Sequence, residues 1–320
     1  MQIRTGVIIF FCAATVLLGQ DPELIKRAEA GDTEAQFELA VTYASEGNEP
    51  ENVAGMVKWL RLAADQGYAK AQYVLGNLHA DGFGVPKDDV EALKWYHLAA
   101  EQGFVGAEYT LGFKYENGEG VPEDQVEAAK WYRLAAEQGN DLAARRLVII
   151  YTWGDIWIKN RVEAARWTRV LAEKGDAEMQ FKVGRMLNSG ADLPEDQREA
   201  TKWLRMAAEQ GHSEAQHYLG VRFREGKGVS KDLWEAIKWL LEAADQWYPG
   251  SQRELALCYQ ASGDAIEAYA RMNVAAARGL SSDWWIDLAA KKMTSEQIAE
   301  AQNRSTEIWA ALEARKKSDE

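Results

Sequence analysis

The residues of this chain best able to do chemistry are four histidines, two cysteines and a set of glycine-rich turns, and spacing decides what each can do. A histidine pair on one helix holds a metal when spaced i, i+4, because both imidazoles then share a face. His212 and His217 are five apart, which turns them roughly 140° from one another on a helix. His79 and His97 stand in separate segments. Packing or solvated roles follow for all four, with no metal and no cofactor expected. Gly82-Phe83-Gly84, Gly118-Glu119-Gly120 and Gly226-Lys227-Gly228 have the G-x-G spacing of phosphate-binding loops. A dinucleotide fingerprint joins a strand to a helix, however, and these join helix to helix, so they are turn chemistry. With no G-x-S-x-G, H-E-x-x-H, phosphate loop or cysteine cluster in the sequence, no nucleophile and base can be paired, and the expectation is a protein that is not an enzyme.

Cysteine usage bears on compartment. Residues 1–20 carry one basic residue, Arg4, followed by an uncharged apolar run from Gly6 to Gly19. That run is shorter than the roughly 20 residues of a membrane-spanning helix and fits the apolar core of a secretory signal peptide. Export to the periplasm or medium with cleavage after Gly19 is expected, an uncleaved N-terminal membrane anchor being the alternative. Phe10 and Phe11 precede Cys12 where a lipidated cysteine has small residues. Cleavage takes the net charge from −13 to −14 and leaves Cys258 alone. An intramolecular disulfide is then excluded, and Cys258, three residues after Leu255 in an apolar helical pattern, reads as a buried thiol. The acidic balance also argues against nucleic acid, which needs clustered Lys and Arg.

The elements that position these residues keep a fixed beat. Trp59, Trp95, Trp131, Trp167, Trp203 and Trp239 are each 36 residues apart, as are Gly31, Gly67, Gly103, Gly139, Gly175 and Gly211. A constant period of this length marks stacked supersecondary units, so one elongated array is expected in place of two or three separate domains. In residues 104–139, Ala107, Leu111 and Tyr115 form the stripe of one helix. Ala128, Trp131, Tyr132, Ala135 and Ala136 form that of a second. Asp88/Glu91, Asp124/Glu127, Asn160/Glu163, Asp196/Glu199 and Asp232/Glu235 repeat the spacing of a capping box at the start of the second helix, the acid bonding into the helix and the Glu reaching back to the cap. At Asn52 the partner position is Gly55, so that helix should be less well held. Gly76, Gly112, Gly184 and Gly220 recur inside the first helix, where glycine costs about 1 kcal/mol against alanine, which implies close helix approach.

The combined pattern, A-x-x-x-L-G-x-x-Y, then G-x-G-V-P-x-D, then E-A-x-K-W-Y-x-x-A-A-E-Q-G, resembles the Sel1-like repeat, related to tetratricopeptide units. The resemblance covers residues 32–279, about three quarters of the chain. It implies an all-α, right-handed α-solenoid whose first helices line a concave surface used for holding protein partners. Seven units are laid out as 32–67, 68–103, 104–139, 140–175, 176–211, 212–247 and 248–279. They stand between a lead-in helix at 20–31 and closing helices with a polar tail at 280–320, where Thr294 and Gln297 form a further capping box. The fourth unit departs, with Gly154-Asp155-Ile156-Trp157-Ile158 in place of the turn and Val148 in place of the helix glycine. At the close of the sixth, just before the seventh begins, Trp247 stands where a glycine is due.

On the first helix the stripe beside the core, six, ten and thirteen residues after each closing glycine, should face the groove. It comprises Tyr73, Asn77 and Ala80; Tyr109, Phe113 and Glu116; Arg145, Ile149 and Thr152; Phe181, Arg185 and Asn188; His217, Val221 and Arg224. Trp153 and Trp157, outside the tryptophan register at the aberrant turn, are candidate exposed contacts. Aromatics and arginine dominate binding hot spots, so the expectation is a monomeric scaffold holding a protein or peptide along this groove, with Arg145, Arg185 and Arg224 meeting acidic groups. An envelope hydrolase or β-lactam-binding protein of the cysteine-rich Sel1-like type is the alternative, and that type resembles helix-bridging cysteines this chain lacks.

Overall fold

A computed structural model describes residues 21–154, 159–190, 192–248, 250–277, 279 and 283–319. The segment at 1–19 and Trp157 lie outside the described residues. The regular elements of the described residues are all α-helices, with no strand among them. The chain divides into two compact units, residues 1–160 and 161–320.

The first unit comprises α1 (Pro22–Glu29), α2 (Thr33–Ser45), α3 (Pro50–Asp65), α4 (Ala69–Asp81), α5 (Asp89–Glu101), α6 (Val105–Asn117), α7 (Gln125–Glu137) and α8 (Asp141–Trp153). Each helix packs on the next in sequence. The second unit comprises α9 (Arg161–Glu173), α10 (Ala177–Ser189), α11 (Gln197–Glu209), α12 (Ser213–Glu225), α13 (Leu233–Asp245), α14 (Ser251–Ser262), α15 (Ala265–Ala277), α16 (Asp283–Ala290) and α17 (Ser295–Asp319). There α9 to α15 pack in succession, and both α16 and α17 close on α15.

The repeated small residues set how closely the helices of a pair approach. A methyl group added to Gly76 or Gly112 would stand 2.7 or 2.6 Å from the ring of Tyr96 or Tyr132, and one on Gly184 or Gly220 would stand 2.8 or 2.6 Å from Leu204 or Leu240. Trp59, Trp167, Trp203 and Trp239 are buried. Trp95 and Trp131 are half-buried, and the tyrosine that follows each, Tyr96 or Tyr132, is buried in the core.

The caps correct one sequence expectation. Asp88, Asp124, Asp196 and Asp232 each accept two backbone N–H bonds from the following turn. The reciprocal half is not formed, because each cap's own N–H already donates to a carbonyl of the preceding first helix, as Asp124 N does to Tyr115 O at 2.8 Å. The glutamates turn outward, Glu127 to Lys130 at 2.6 Å and Glu235 to Trp239 Nε1 at 3.1 Å. Both halves form at Thr294 and Gln297, at 2.9 and 3.2 Å. Asn52 is no cap at all: α3 starts at Pro50, and Glu49, which precedes it, makes no side-chain bond to the helix backbone and accepts instead from Asn52 Nδ2 at 3.4 Å.

A second periodic feature runs through the core. Gln36, Gln72, Gln180 and Gln216, at one register of the first helices, each donate to a carbonyl eight residues back. Each also accepts from a glutamine thirty residues on, namely Gln66, Gln102, Gln210 and Gln246, at 2.7–2.8 Å. Buried amides are thereby satisfied in donor and acceptor alike. Glu108 replaces glutamine in this series, and Ala144 interrupts it in the fourth repeat.

Candidate functional site

The stripe expected to face the groove divides into packed and open members. In the first unit, the Tyr73 ring lies against Phe104 and Tyr96, with centroids at 5.1 and 5.9 Å, and Tyr109 lies against Tyr132 at 5.6 Å. These aromatics bridge neighbouring helices and are partly buried, as is Phe113. Asn77 accepts from the Tyr96 hydroxyl at 2.8 Å, while its amide nitrogen is buried without a hydrogen-bond partner. Tyr132 donates to Glu116 at 2.6 Å, and Arg146 stands 3.6 Å from the same carboxylate.

On α8 the pattern is open. Arg145 is exposed. Leu142, Ile149 and Trp153 are 59, 48 and 78 per cent exposed and fall within roughly 40° of one line on the helix. The opposite face carries the core residues Ala143, Leu147, Ile150 and Tyr151. Three large apolar side chains on one open helix face are an arrangement that scattered surface hydrophobics do not produce.

In the second unit Phe181 is a core residue, stacked on His212 at 4.8 Å and against Tyr218 at 5.7 Å. His217 is packed among Tyr218, Tyr248 and Ser251, with Nδ1 3.1 Å from the Ser251 hydroxyl, and burial pushes its pKa down to about 4. Ser251 is fully buried, which removes it as a nucleophile for any substrate. Arg224 is held by Glu225 at 2.8 Å and Glu254 at 3.0 Å. Arg185 remains open, its side chain 58 per cent exposed. It rims a cleft of about 440 Å³ that also takes in Lys182, Asn188, Glu214, Tyr218 and Arg222. Tyr218, Glu214 and Arg222 were not legible as site residues from the sequence stripe, since they stand at neighbouring registers of α12.

The histidines and the cysteine take structural places. His212 caps α12 through Nδ1 and faces Glu178 at 2.9 Å through Nε2. His97 lies edge-on to Trp131 at 5.4 Å, and His79 is buried. Cys258 is fully buried, with its pKa pushed up to about 11 by burial. No cluster of metal-ligating side chains occurs among the described residues.

Helix pairs of constant length, locked by an in-register glycine and a buried amide ladder, define an α-helical repeat protein of the tetratricopeptide-like class. The chain belongs to the Sel1 repeat family, whose profile matches residues 33–68, 69–104, 105–140, 177–212 and 213–246, more than half of its length. The fourth repeat, whose sequence lacks the Gly-x-Gly-Val motif, the helix glycine and the ladder amide, falls between the matches.

Among solved structures, a Sel1 repeat protein from Oxalobacter formigenes is similar at 24% identity, covering 86% of this chain and 87% of that one, with a TM-score of 0.62. It shares the fold. The antigen c5321 of uropathogenic Escherichia coli, described as displaying an SLR fold, is 23% identical over 92% of this chain and 96% of that one, with a TM-score of 0.37. Comparison with the curated proteins finds no match. No helix among the described residues is long and apolar enough to cross a membrane.

Proposed function

We propose that this chain is an exported interaction scaffold that holds a partner protein or peptide on the concave face formed by the first helices of its repeats. The Sel1 fold supplies that kind of surface, and the observation that carries the reading is the α8 stripe. Leu142, Ile149 and Trp153 stand open directly opposite the core face of the helix. Desolvating such side chains favours association by roughly 25 cal/mol per Å² buried, and tryptophan is the residue most enriched among binding hot spots. Arg145, exposed on α8, and, in the second unit, Arg185, exposed on α10, each offer a cation for charge-assisted bonds. Catalysis has no part in this reading. Export rests on the apolar run from Gly6 to Gly19, with the mature chain starting at Gln20.

Capture from an envelope extract of the native source tests it. The wild-type chain is expected to retain a specific partner, and Arg145→Glu combined with Arg185→Glu to lose it with an unchanged circular dichroism melt. Equal retention by the double variant contradicts the groove. Intact mass of the native protein checks export: a chain beginning at Met1 and found in the soluble cell interior contradicts it.

A further inference from the structure

Resting on that scaffold reading, we propose that the cleft lined by α10 and α12 recognises the carboxylate of an aspartate or glutamate side chain within an extended partner segment. Arg185 supplies the fork that meets it. The guanidinium carbon stands 5.9 Å from the ring centroids of both Phe181 and Tyr218, so two aromatic faces hold the group while leaving it open. An arginine held in this way loses less freedom on binding and presents paired N–H donors matched to a carboxylate. Glu214 comes no nearer than 4.0 Å, and it also hydrogen-bonds the Tyr248 hydroxyl.

A second donor is built beside the first. Asn188 lies three residues after Arg185 on the same helix and is exposed. Its carbonyl oxygen accepts from Arg222 Nη2 at 2.9 Å, which fixes the amide with its NH₂ turned away from that contact. Arg222 is only 3 per cent exposed. It donates to neutral oxygens, Gln197 Oε1 at 2.9 Å and Lys227 O at 3.1 Å besides Asn188, with no carboxylate among these partners. Three acids stand around the cleft: Glu178 faces Lys182 at 3.3 Å and His212 at 2.9 Å, Asp192 faces Arg161 at 3.7 Å, and Glu214 reaches Arg185 at 4.0 Å, which leaves Arg222 as the cation in excess. The uncompensated charge is therefore positive. The overall charge of −13 does not oppose this, because charges farther away than about 8 Å are largely screened at physiological salt. An internal side chain, not a chain terminus, fits best, since the cleft continues past Arg185 in both directions, to Glu178 on one side and Asp192 on the other.

The test uses an immobilised library of heptapeptides, acetylated and amidated at their ends and randomised at every position, presented to the full chain. At one position the wild type is expected to enrich Asp and Glu over Asn and Gln by about tenfold or more, the scale of a charge-assisted bidentate contact. Arg185→Gln is expected to abolish the preference, and Arg185→Glu to convert it to Lys and Arg. A parallel library with free C-termini separates the two sources of carboxylate. Enrichment confined to that library overturns the side-chain assignment, and so does an acidic preference unchanged in Arg185→Gln. Peptides retained without acidic preference overturn the carboxylate site while leaving the scaffold standing. Retention of no peptide also overturns the site, and the capture experiment then decides alone whether the scaffold survives.

Discussion

Gln138 donates its side-chain amide to the buried carboxyl of Glu108 at 2.8 Å, at the register where four other repeats pair glutamine with glutamine. A glutamine there also donates to a carbonyl eight residues back, as Gln72 does to Ala64 O at 3.1 Å. An ionised glutamate has no proton to give.

Burial raises the pKa of Glu108. A raised carboxyl pKa means that the folded state binds the proton more tightly than the unfolded chain does. The stability linked to this group is thus present at low pH and is lost as pH rises from the ordinary glutamate range through the folded value. Glu108→Gln is expected to be more stable than the wild type at pH 7.5, by about 1 kcal/mol for the regained bond, with the gap closing toward pH 4. Thermal melts of both proteins across that range check it. A gap that does not change with pH contradicts the assignment.

The half-formed capping boxes separate two acids that look equivalent in sequence. Asp124→Ala removes an acceptor for Val126 and Glu127 N–H and is expected to cost about 1 kcal/mol. Glu127→Ala removes only an exposed pair with Lys130 and should cost well under 1 kcal/mol. Denaturant melts of the two variants decide; equal losses would show that the reciprocal bond forms in solution.

Gly220→Ala tests the close approach of α12 and α13. Helix propensity favours the alanine by about 1 kcal/mol. The new methyl, however, would meet Ala236 O at 3.0 Å and Leu240 at 2.6 Å, and overpacking of this kind costs about 1–3 kcal/mol. A lower melting temperature is expected, and a higher one contradicts the packing.

At the end of the sixth repeat, Trp247 takes the left-handed conformation, φ 61°, that glycine takes at Gly211. Its indole packs against Trp309 at 5.9 Å and donates to Leu312 O at 3.2 Å, tying α17 to the array. Backbone strain of about 1–3 kcal/mol is offset by the partial burial of the ring against Trp309 and by the bond to Leu312 O. Trp247→Gly is therefore expected to release α17, read as faster proteolytic cleavage between residues 295 and 319. Unchanged cleavage contradicts the anchoring role.

The repeat architecture was legible because tryptophan, glycine and cap positions each recur every 36 residues, and a strict period leaves little choice of fold. The glutamine ladder has that period too, from Gln36 to Gln72 and from Gln180 to Gln216, and could have been read from it. The site was less legible. Position six of the first helix carries Tyr73, Tyr109, Phe181 and His217 in one register, and all four pack between helices, because an aromatic ring is long enough to lie across to the next helix and not stand in the groove. Position ten is where Ile149 and Arg185 remain open. Arg224, expected to meet acidic groups of a partner, is held within the chain by Glu225 and by Glu254, which lies thirty residues on in the next repeat.

The most direct test places a photo-crosslinking amino acid at Ile149 or Arg185 on the first helices, and at Val126 or Leu134 on the exposed face of α7, then irradiates the protein in its native source. The expected result is a discrete crosslinked partner from Ile149 and Arg185, with none from Val126 and Leu134. Crosslinking from α7 alone would contradict a partner held on the first-helix face.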